Sequence, residues 1–449
     1  MKIVILGVGK VGETLVKNFI KEGHDLVAVD FDPEVIDKVV NTYDVIGLIG
    51  SGVEREVLVQ SGVSEADLFI ACTSHDEINI LSSVLAKKLG AKKTVARVRD
   101  PMLFKEVPNI RQELGLDLAF NPERRTAFEI AQVLKFPSAK SIESFAGGKA
   151  VMIEFDVAAG NPIIGKSLIE VASYGYKILF AMVERGEEVV IPRGDFVINE
   201  GDSIHIIATE AEIAAFCKKI KTFRSRAKSV FVIGGGKIAY YLAKELEKSG
   251  IELKLVEKDP ERCKTLSEEL PFVSVLNADG TEQSVLDEEN IKGADACVSL
   301  TGMDETNVIV SLYAKQKKVD KVITKIDREN ILGMVKILGL DTVVSPKNAI
   351  ANYILRFVRA HQAESGEGVN TLYKLNDKVE ALEFTVGESF KHTGVPLKDL
   401  KIKNGVLIGG VVRENDFILP VGDTTLKKGD RVIVVASSDR INELSDVLK

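Results

Sequence analysis

Short β-branched runs at residues 3–6, 25–29, 67–72 and 93–98 alternate with stretches whose apolar positions recur at helical spacing, notably 11–22 and 78–89. This alternation predicts a parallel sheet covered by helices on both faces, a doubly wound α/β domain. Asn121, Pro122 and Glu123 then read as helix cap, first-turn proline and first-turn acid. They predict a helix that runs to about Leu134 and stops before Pro137. Beyond it, β-rich runs at 150–157, 177–185 and 203–208 are separated by turn signals at Gly186, Gly194 and Gly201-Asp202. These predict a smaller α+β module of about 80 residues.

The whole pattern occurs twice. IVILGVGKVG from Ile3 is echoed by VFVIGGGKIA from Val230, and TSHDEIN from Thr73 by TGMDETN from Thr301. NPERRTAFEIAQVL from Asn121 returns as SPKNAIANYILRFV from Ser345, and IPRGDFVINEGDSIHIIA from Ile191 as LPVGDTTLKKGDRVIVVA from Leu419. The offset stays between 224 and 228 residues, so one unit has been copied whole. The expected domains are therefore doubly wound lobes at 1–137 and 229–361, followed by small modules at 138–222 and 369–449. Lys218, Lys219, Lys221, Arg224, Arg226 and Lys228, with no acid among them, read as a solvated linker between the copies. Residues 363–368, rich in Gly, Ser and Glu, read as a second linker.

A chain of 449 residues holds several domains, each large enough for its own core. Its net charge of −7 offers no general attraction for nucleic acid or an anionic bilayer. The apolar runs are short, nine uncharged residues at 306–314 being among the longest, against the roughly 20 that a membrane-spanning helix needs. Any membrane contact is expected through a protein partner. Lys10 interrupts the first apolar stretch, which favours a buried strand over a leader peptide. Cys72, Cys217, Cys263 and Cys297 lie far apart with no C-x-x-C pair, which points away from zinc or disulfides and towards a reducing cytoplasm.

Gly7, Gly9 and Gly12 form G-x-G-x-x-G directly after a strand and at the start of a helix. In that context the first glycine makes the tight turn, the second admits a pyrophosphate to the backbone, and the third packs helix on strand. Asp30 follows Gly12 by 18 residues, at the end of the second strand, where a carboxylate binds an adenosine ribose and repels a 2′-phosphate. NAD is thus favoured over NADP. The second copy carries Gly234, Gly236 and Ala239, with Glu257 again 18 residues on. Arg97 and Arg99 point by alternation to one side of a strand end, where a guanidinium can grip phosphate; the copy has Lys325 and Asp327 there. Thr73, Asp76 and Asn79, with Thr301 in the copy, are candidates for helix capping or ligand hydrogen bonds.

Proton-transfer chemistry is poorly provided for. The histidines, His24, His75, His205, His361 and His392, form no repeated constellation. Only His75 falls near a nucleotide crevice, and its counterpart is Met303. A binding protein is therefore expected, not an enzyme. The alternative, a tandem NAD-dependent oxidoreductase, would need an acid or base beside the nicotinamide.

The ordered set GVGKVG with Asp30, TSHDEIN, ARVRDP from Ala96, NPE from Asn121 and the turn at Gly201-Asp202, all duplicated, resembles the TrkA family of Trk-type potassium uptake subunits. The resemblance covers essentially the whole chain. It implies two tandem RCK (KTN) units, each a Rossmann-like lobe followed by a small α+β TrkA-C-type lobe. It implies binding of NAD(H), with ATP or ADP as further ligands. It also implies a homo-oligomeric ring in the cytoplasm, held at the inner face of the membrane by a potassium transporter subunit of the TrkH/TrkG kind. No nucleic acid and no direct membrane insertion are implied. Carried onto this sequence, it assigns Gly7, Gly9, Val11, Gly12 and Asp30 to the nucleotide, and Gly234, Gly236, Ala239 and Glu257 in the copy. Lys10 and Lys237 occupy the place of a cation near terminal phosphates, and Arg97 or Arg99 the phosphate region. Ser51 departs from the Asp or Asn common in the adenosine turn, whereas Asp279 keeps it. Glu123 matches a carboxylate that in some relatives contributes to a divalent-cation site between subunits; its counterpart is Lys347.

Overall fold

The computed structural model of the chain describes residues 1–222, 226–340, 342–360, 368–376, 378–437 and 441–449. Arg224, His361 and residues 363–367 of the second linker lie outside the described residues. The described chain forms two compact units, Met1–Phe128 with Ser345–Ala351, and Glu129–Val344 with Asn352–Lys449.

In the first unit, β1 (Lys2–Leu6), α1 (Lys10–Lys21), β2 (Asp25–Asp30), α2 (Pro33–Thr42), β3 (Ile46–Ile49) and α3 (Arg55–Gln60) make one half of a sheet layer. The other half is β4 (Leu68–Ala71), α4 (Asp76–Leu89), β5 (Lys93–Arg97), α5 (Pro101–Ile110) and β6 (Leu118–Phe120). All six strands are parallel, in the order β3-β2-β1-β4-β5-β6. Ile3, Val4 and Ile5 are fully buried because helices cover both faces of the central strand, hence the unbroken apolar run. The strand order reverses between β1 and β4, which opens a crevice at their carboxyl ends. There α6 (Pro122–Lys135) starts, with Asn121 Oδ1 accepting from Arg124 N at 2.8 Å, as the cap pattern predicts.

The second unit begins within α6. β7 (Ser141–Phe145), β8 (Ala150–Asp156), α7 (Leu168–Ala172), β9 (Leu179–Arg185), β10 (Glu188–Val190), β11 (Ser203–Ala208) and α8 (Glu210–Lys219) follow. Their antiparallel sheet has the order β10-β9-β11-β8-β7; β7 and β10 were not foreseen in the sequence. The second doubly wound lobe comprises β12 (Ser229–Ile233), α9 (Lys237–Leu246), β13 (Glu252–Glu257), α10 (Pro260–Glu269), β14 (Ser274–Asn277) and α11 (Gln283–Glu288). It continues with β15 (Ala296–Ser299), α12 (Asp304–Gln316), β16 (Lys321–Lys325), α13 (Glu329–Ile337), β17 (Thr342–Val344) and α14 (Pro346–Ala360). The order β14-β13-β12-β15-β16-β17 repeats the first sheet. The last sheet, β18 (Thr371–Lys374), β19 (Val379–Thr385), β20 (Val406–Arg413), β21 (Asp416–Ile418) and β22 (Arg431–Ser437), has the order β18-β19-β22-β20-β21.

The two antiparallel sheets share an apolar layer in which Phe145, Met152, Met182 and Ile207 meet Tyr373, Ala381, Ile433 and Val435. Tyr373 Oη donates to Ser144 O at 3.0 Å and Ala146 N donates to Glu383 Oε2 at 2.8 Å, pinning the register of the two faces. The Gly-Asp turn has the same purpose in both sheets. Asp202 accepts a two-pronged arginine bond from Arg185 (2.7 and 2.8 Å) and Asp430 one from Arg413 (2.9 and 2.8 Å). Fork-to-fork geometry of this kind fixes orientation as well as charge. Among the described residues no helix is long and apolar enough to cross a membrane.

Candidate nucleotide-binding site

The first crevice is built on the turn after β1. Gly7 has φ +84°, and a Cβ there would stand 2.7 Å from Thr73 N, so the position demands glycine. A Cβ on Gly12 would meet Gly7 O at 2.1 Å, which is the close helix–strand packing expected of the third glycine. Gly9 is the opposite case: no described atom lies within 4 Å of where its Cβ would point, leaving the backbone open to a ligand. It is also the N-cap of α1 and supplies no side-chain cap, so the amide hydrogens of the first turn face outward. A helix start with free N–H groups suits a phosphate. Lys10 is exposed beside it, whereas Val11 is buried and offers only its backbone.

Asp30 is 8% exposed, and its carboxylate ties the turn to the second strand. Oδ2 accepts from Val8 N at 2.8 Å and Oδ1 from Asp32 N at 3.2 Å. The second copy repeats this arrangement with Glu257, whose oxygens accept from Gly235 N at 2.7 Å and Asp259 N at 2.9 Å. Gly234 has φ +99° and Gly236 has open space, while Ala239 is buried in the helix–strand contact. Cys72 lies under the first turn and donates to Gly7 O at 3.0 Å. Burial pushes its thiol up to about 12, so it packs as a thiol and is not a nucleophile.

The loop after β4 is braced identically in both copies. Asn79 Oδ1 accepts from Thr73 N and Thr73 Oγ1, each at 2.8 Å, while Nδ2 donates to Thr73 O at 3.2 Å and Arg97 O at 3.0 Å. Asn307 does the same for Thr301 and Lys325 O. Asn79 is fully buried, so its side chain holds the crevice wall and does not reach a ligand. The N-cap of α4 is His75, without a side-chain cap bond, and not Thr73 or Ser74.

Arg97 and Arg99 do share a side, and what they share there is Glu123. Arg99 Nε donates to Glu123 Oε1 at 2.7 Å and Arg97 Nη2 stands 3.5 Å from it. The side chain of Arg97 is 14% exposed; burial holds it below the usual arginine range, against the pull of Glu123. Three buried polar atoms in this cluster find no partner among the described residues: Arg97 Nε, Glu123 Oε2 and Asp76 Oδ1. Orphans of this kind in a crevice wall are what a bound polar group would satisfy. Glu123, flanked by two guanidinium groups, does not fit a divalent cation within one chain. Among the described residues no three His, Cys, Asp or Glu side chains gather into a metal-binding set.

The second crevice satisfies itself. Lys325 Nζ donates to Thr301 O at 3.1 Å and pairs with Asp327 Oδ2 at 3.0 Å. Asp304 accepts from Asp327 N at 3.0 Å and Arg328 N at 2.9 Å. Arg262 Nε donates to Gly235 O at 2.8 Å, laying a guanidinium against the glycine turn. Neither the Lys325–Asp327 pair nor the Arg262 contact was anticipated. The only signal for the first was the exchange of two arginines for a lysine and an acid.

The chain matches the TrkA-N domain over residues 3–122 and 230–346 and the TrkA-C domain over residues 152–221 and 381–449. It is 34% identical to the Trk system potassium uptake protein TrkA homolog 1 of Methanosarcina mazei, over 100% of both chains. It is 31% identical to the Trk system potassium uptake protein TrkA homolog of Archaeoglobus fulgidus, again over 100% of both. Among solved structures, the GsuK channel bound to NAD shares the fold with a TM-score of 0.64 and 19% identity, covering 97% of this chain and 77% of that one. The repeated order of parallel and antiparallel sheets and the paired domain matches lead to one conclusion: the chain belongs to the TrkA family, with its TrkA-N and TrkA-C domains present in tandem.

Proposed function

We propose that the chain is a nucleotide-binding regulatory subunit of a potassium uptake system, one that gates a membrane transporter in response to NAD(H) and adenine nucleotides and catalyses no reaction. The observation that carries this reading is the first crevice. It combines an open backbone at Gly9, an uncapped helix start, a carboxylate at Asp30 and unsatisfied polar atoms at Arg97, Glu123 and Asp76. The names of the full-length relatives support the potassium uptake role, and the NAD-bound channel of the same fold supports the ligand class. In this reading Gly7, Gly9, Gly12 and the start of α1 take the pyrophosphate, Asp30 the adenosine ribose, and Lys10 with Arg97 the outer phosphates. The four-lobe division at 137, 222 and 361, the ring of copies, the transporter of the TrkH/TrkG kind and the cytoplasmic position belong to the same proposal.

A nucleotide bound in such a crevice changes a ring's shape only by its differential affinity for the two shapes. Two nucleotides that compete for one crevice and favour different shapes make a switch. Calorimetric titration of the chain with NAD+, NADH, ATP and ADP, with NADH absorbance followed for turnover, tests the reading. Saturable binding without turnover is expected. Absence of binding by every nucleotide would show that the glycine turns serve only the fold.

A further inference from the structure

At the end of β2 the first copy exposes apolar surface that its own fold leaves uncovered. Phe31, the residue after Asp30, is 75% exposed, Ile49 50% and Val53 38%. Ile49 is the register partner of Asp30 across β2 and β3, and Ser51 and Val53 follow in the turn beyond it. This surface therefore flanks the carboxylate assigned to the ribose. The same positions in the second copy are Lys258, Asn277, Asp279 and Thr281, and Asn277 is again the register partner of the acid, Glu257. That end is polar and already bonded. Asn277 Nδ2 donates to Glu257 O and Lys258 O, each at 3.1 Å, and Asp279 Oδ1 accepts from Thr281 N at 2.9 Å and Thr281 Oγ1 at 2.7 Å.

We infer that Phe31, with Ile49 and Val53, is the platform for a purine base in the first crevice, and that the second crevice has lost its base site. The inference rests on the nucleotide reading above and sharpens it from two equivalent crevices to one. An aromatic ring left in water beside a ribose-binding acid gains most from the face of a planar base, which stacks on it whatever its edge groups. The second copy offers no such ring, and its polar atoms at this end are satisfied without a ligand. The phosphate ends differ in the same sense, because Arg97 has a free Nε whereas Lys325 is held by Asp327 and Thr301 O.

The chain contains no tryptophan. Phe31→Trp and Lys258→Trp therefore each carry a single reporter, one per crevice, in the full chain. ADP is expected to change the emission of Phe31→Trp saturably and to leave Lys258→Trp unchanged. Phe31→Ala is expected to weaken ADP and NAD+ by about tenfold while leaving inorganic pyrophosphate unaffected. Equal responses from both reporters would overturn the inference. So would calorimetric ADP binding to the unaltered chain with Phe31→Trp silent and Phe31→Ala unchanged; the nucleotide reading would then stand without it. No ADP binding to the unaltered chain would overturn both.

Discussion

The two glycine turns have the same backbone and different surroundings. In each, a positive-φ glycine makes the bend, an acid 18 residues past the third small residue ties it down, and an asparagine braces the opposite wall. Around the first, however, buried polar atoms lack partners and an aromatic ring stands in water, whereas around the second lysine, aspartate and arginine bind each other. The difference teaches that the backbone motif records the fold, while the bonding state of the side chains around it records readiness for a ligand. Duplication makes the comparison internal, because each copy serves as the other's reference.

The largest expected break concerns the third small residue. Gly12→Ala would place a Cβ 2.1 Å from Gly7 O and should cost the first unit about 3 kcal/mol in urea unfolding. Ala239→Gly should cost only about 1 kcal/mol, the ordinary helix penalty. Equal losses would mean that the two helix–strand contacts are not different after all.

Acid should separate the antiparallel sheets next. His205 faces Glu154, Glu184 and Asp156 as well as Lys140, and burial lowers its pKa from 6.5. The folded state then binds fewer protons than the unfolded one, so this contribution is complete above pH 6.5 and declines as pH falls below it. Glu154 lies at about 2; despite burial, His205, Lys140, Ser203 and Ser141 hold it there. Its stabilisation, on the order of 3 kcal/mol at most, is present above pH 4.5 and lost as pH falls from there towards about 2. The counterparts are Ile433 and the Glu383–Arg431 pair. Thermal melts across pH 7 to 3 should show His205→Gln flattening the upper part of the loss and Glu154→Gln the lower part.

Ligand binding provides a smaller test. Asp30→Ala should weaken NAD+ by about 2 kcal/mol, some thirtyfold in Kd, and Glu257→Ala should leave that titration unchanged. If Glu257→Ala were the variant that lost binding, the ranking of the crevices would be reversed. The smallest effect is a gain. Asp327→Ala frees Lys325, and a few-fold increase in pyrophosphate affinity, about 1 kcal/mol, should appear with Asp30→Ala present to silence the first crevice.

Much of this architecture was legible in the sequence. Buried parallel strands must be apolar throughout, and the offset between copies exposed every repeated turn. The three glycines, Asp30 and the Asn121 cap could be read because backbone geometry restricts each to few residue types. Strands β7 and β10 escaped notice because SIESF and EVV are short edge segments whose pattern does not alternate cleanly. Partner choice was also out of reach. Arg97 and Arg99 were read as phosphate ligands and Glu123 as a candidate cation ligand, and only folding brings them together. Asn79 showed the same ambiguity, since a buried brace and a ligand contact call for the same side chain.

The apolar layer between the antiparallel sheets bears on descent. Phe145, Met152, Met182 and Ile207 come from one copy, and Tyr373, Ala381, Ile433 and Val435 from the other. The compact unit of Met1–Phe128 likewise includes Ser345–Ala351 from the far copy. Deleting either half would strip the survivor of a wall, so selection retains both copies for reasons unrelated to any ligand. Freed from the need to bind, the second crevice was able to drift into internal pairing without being lost.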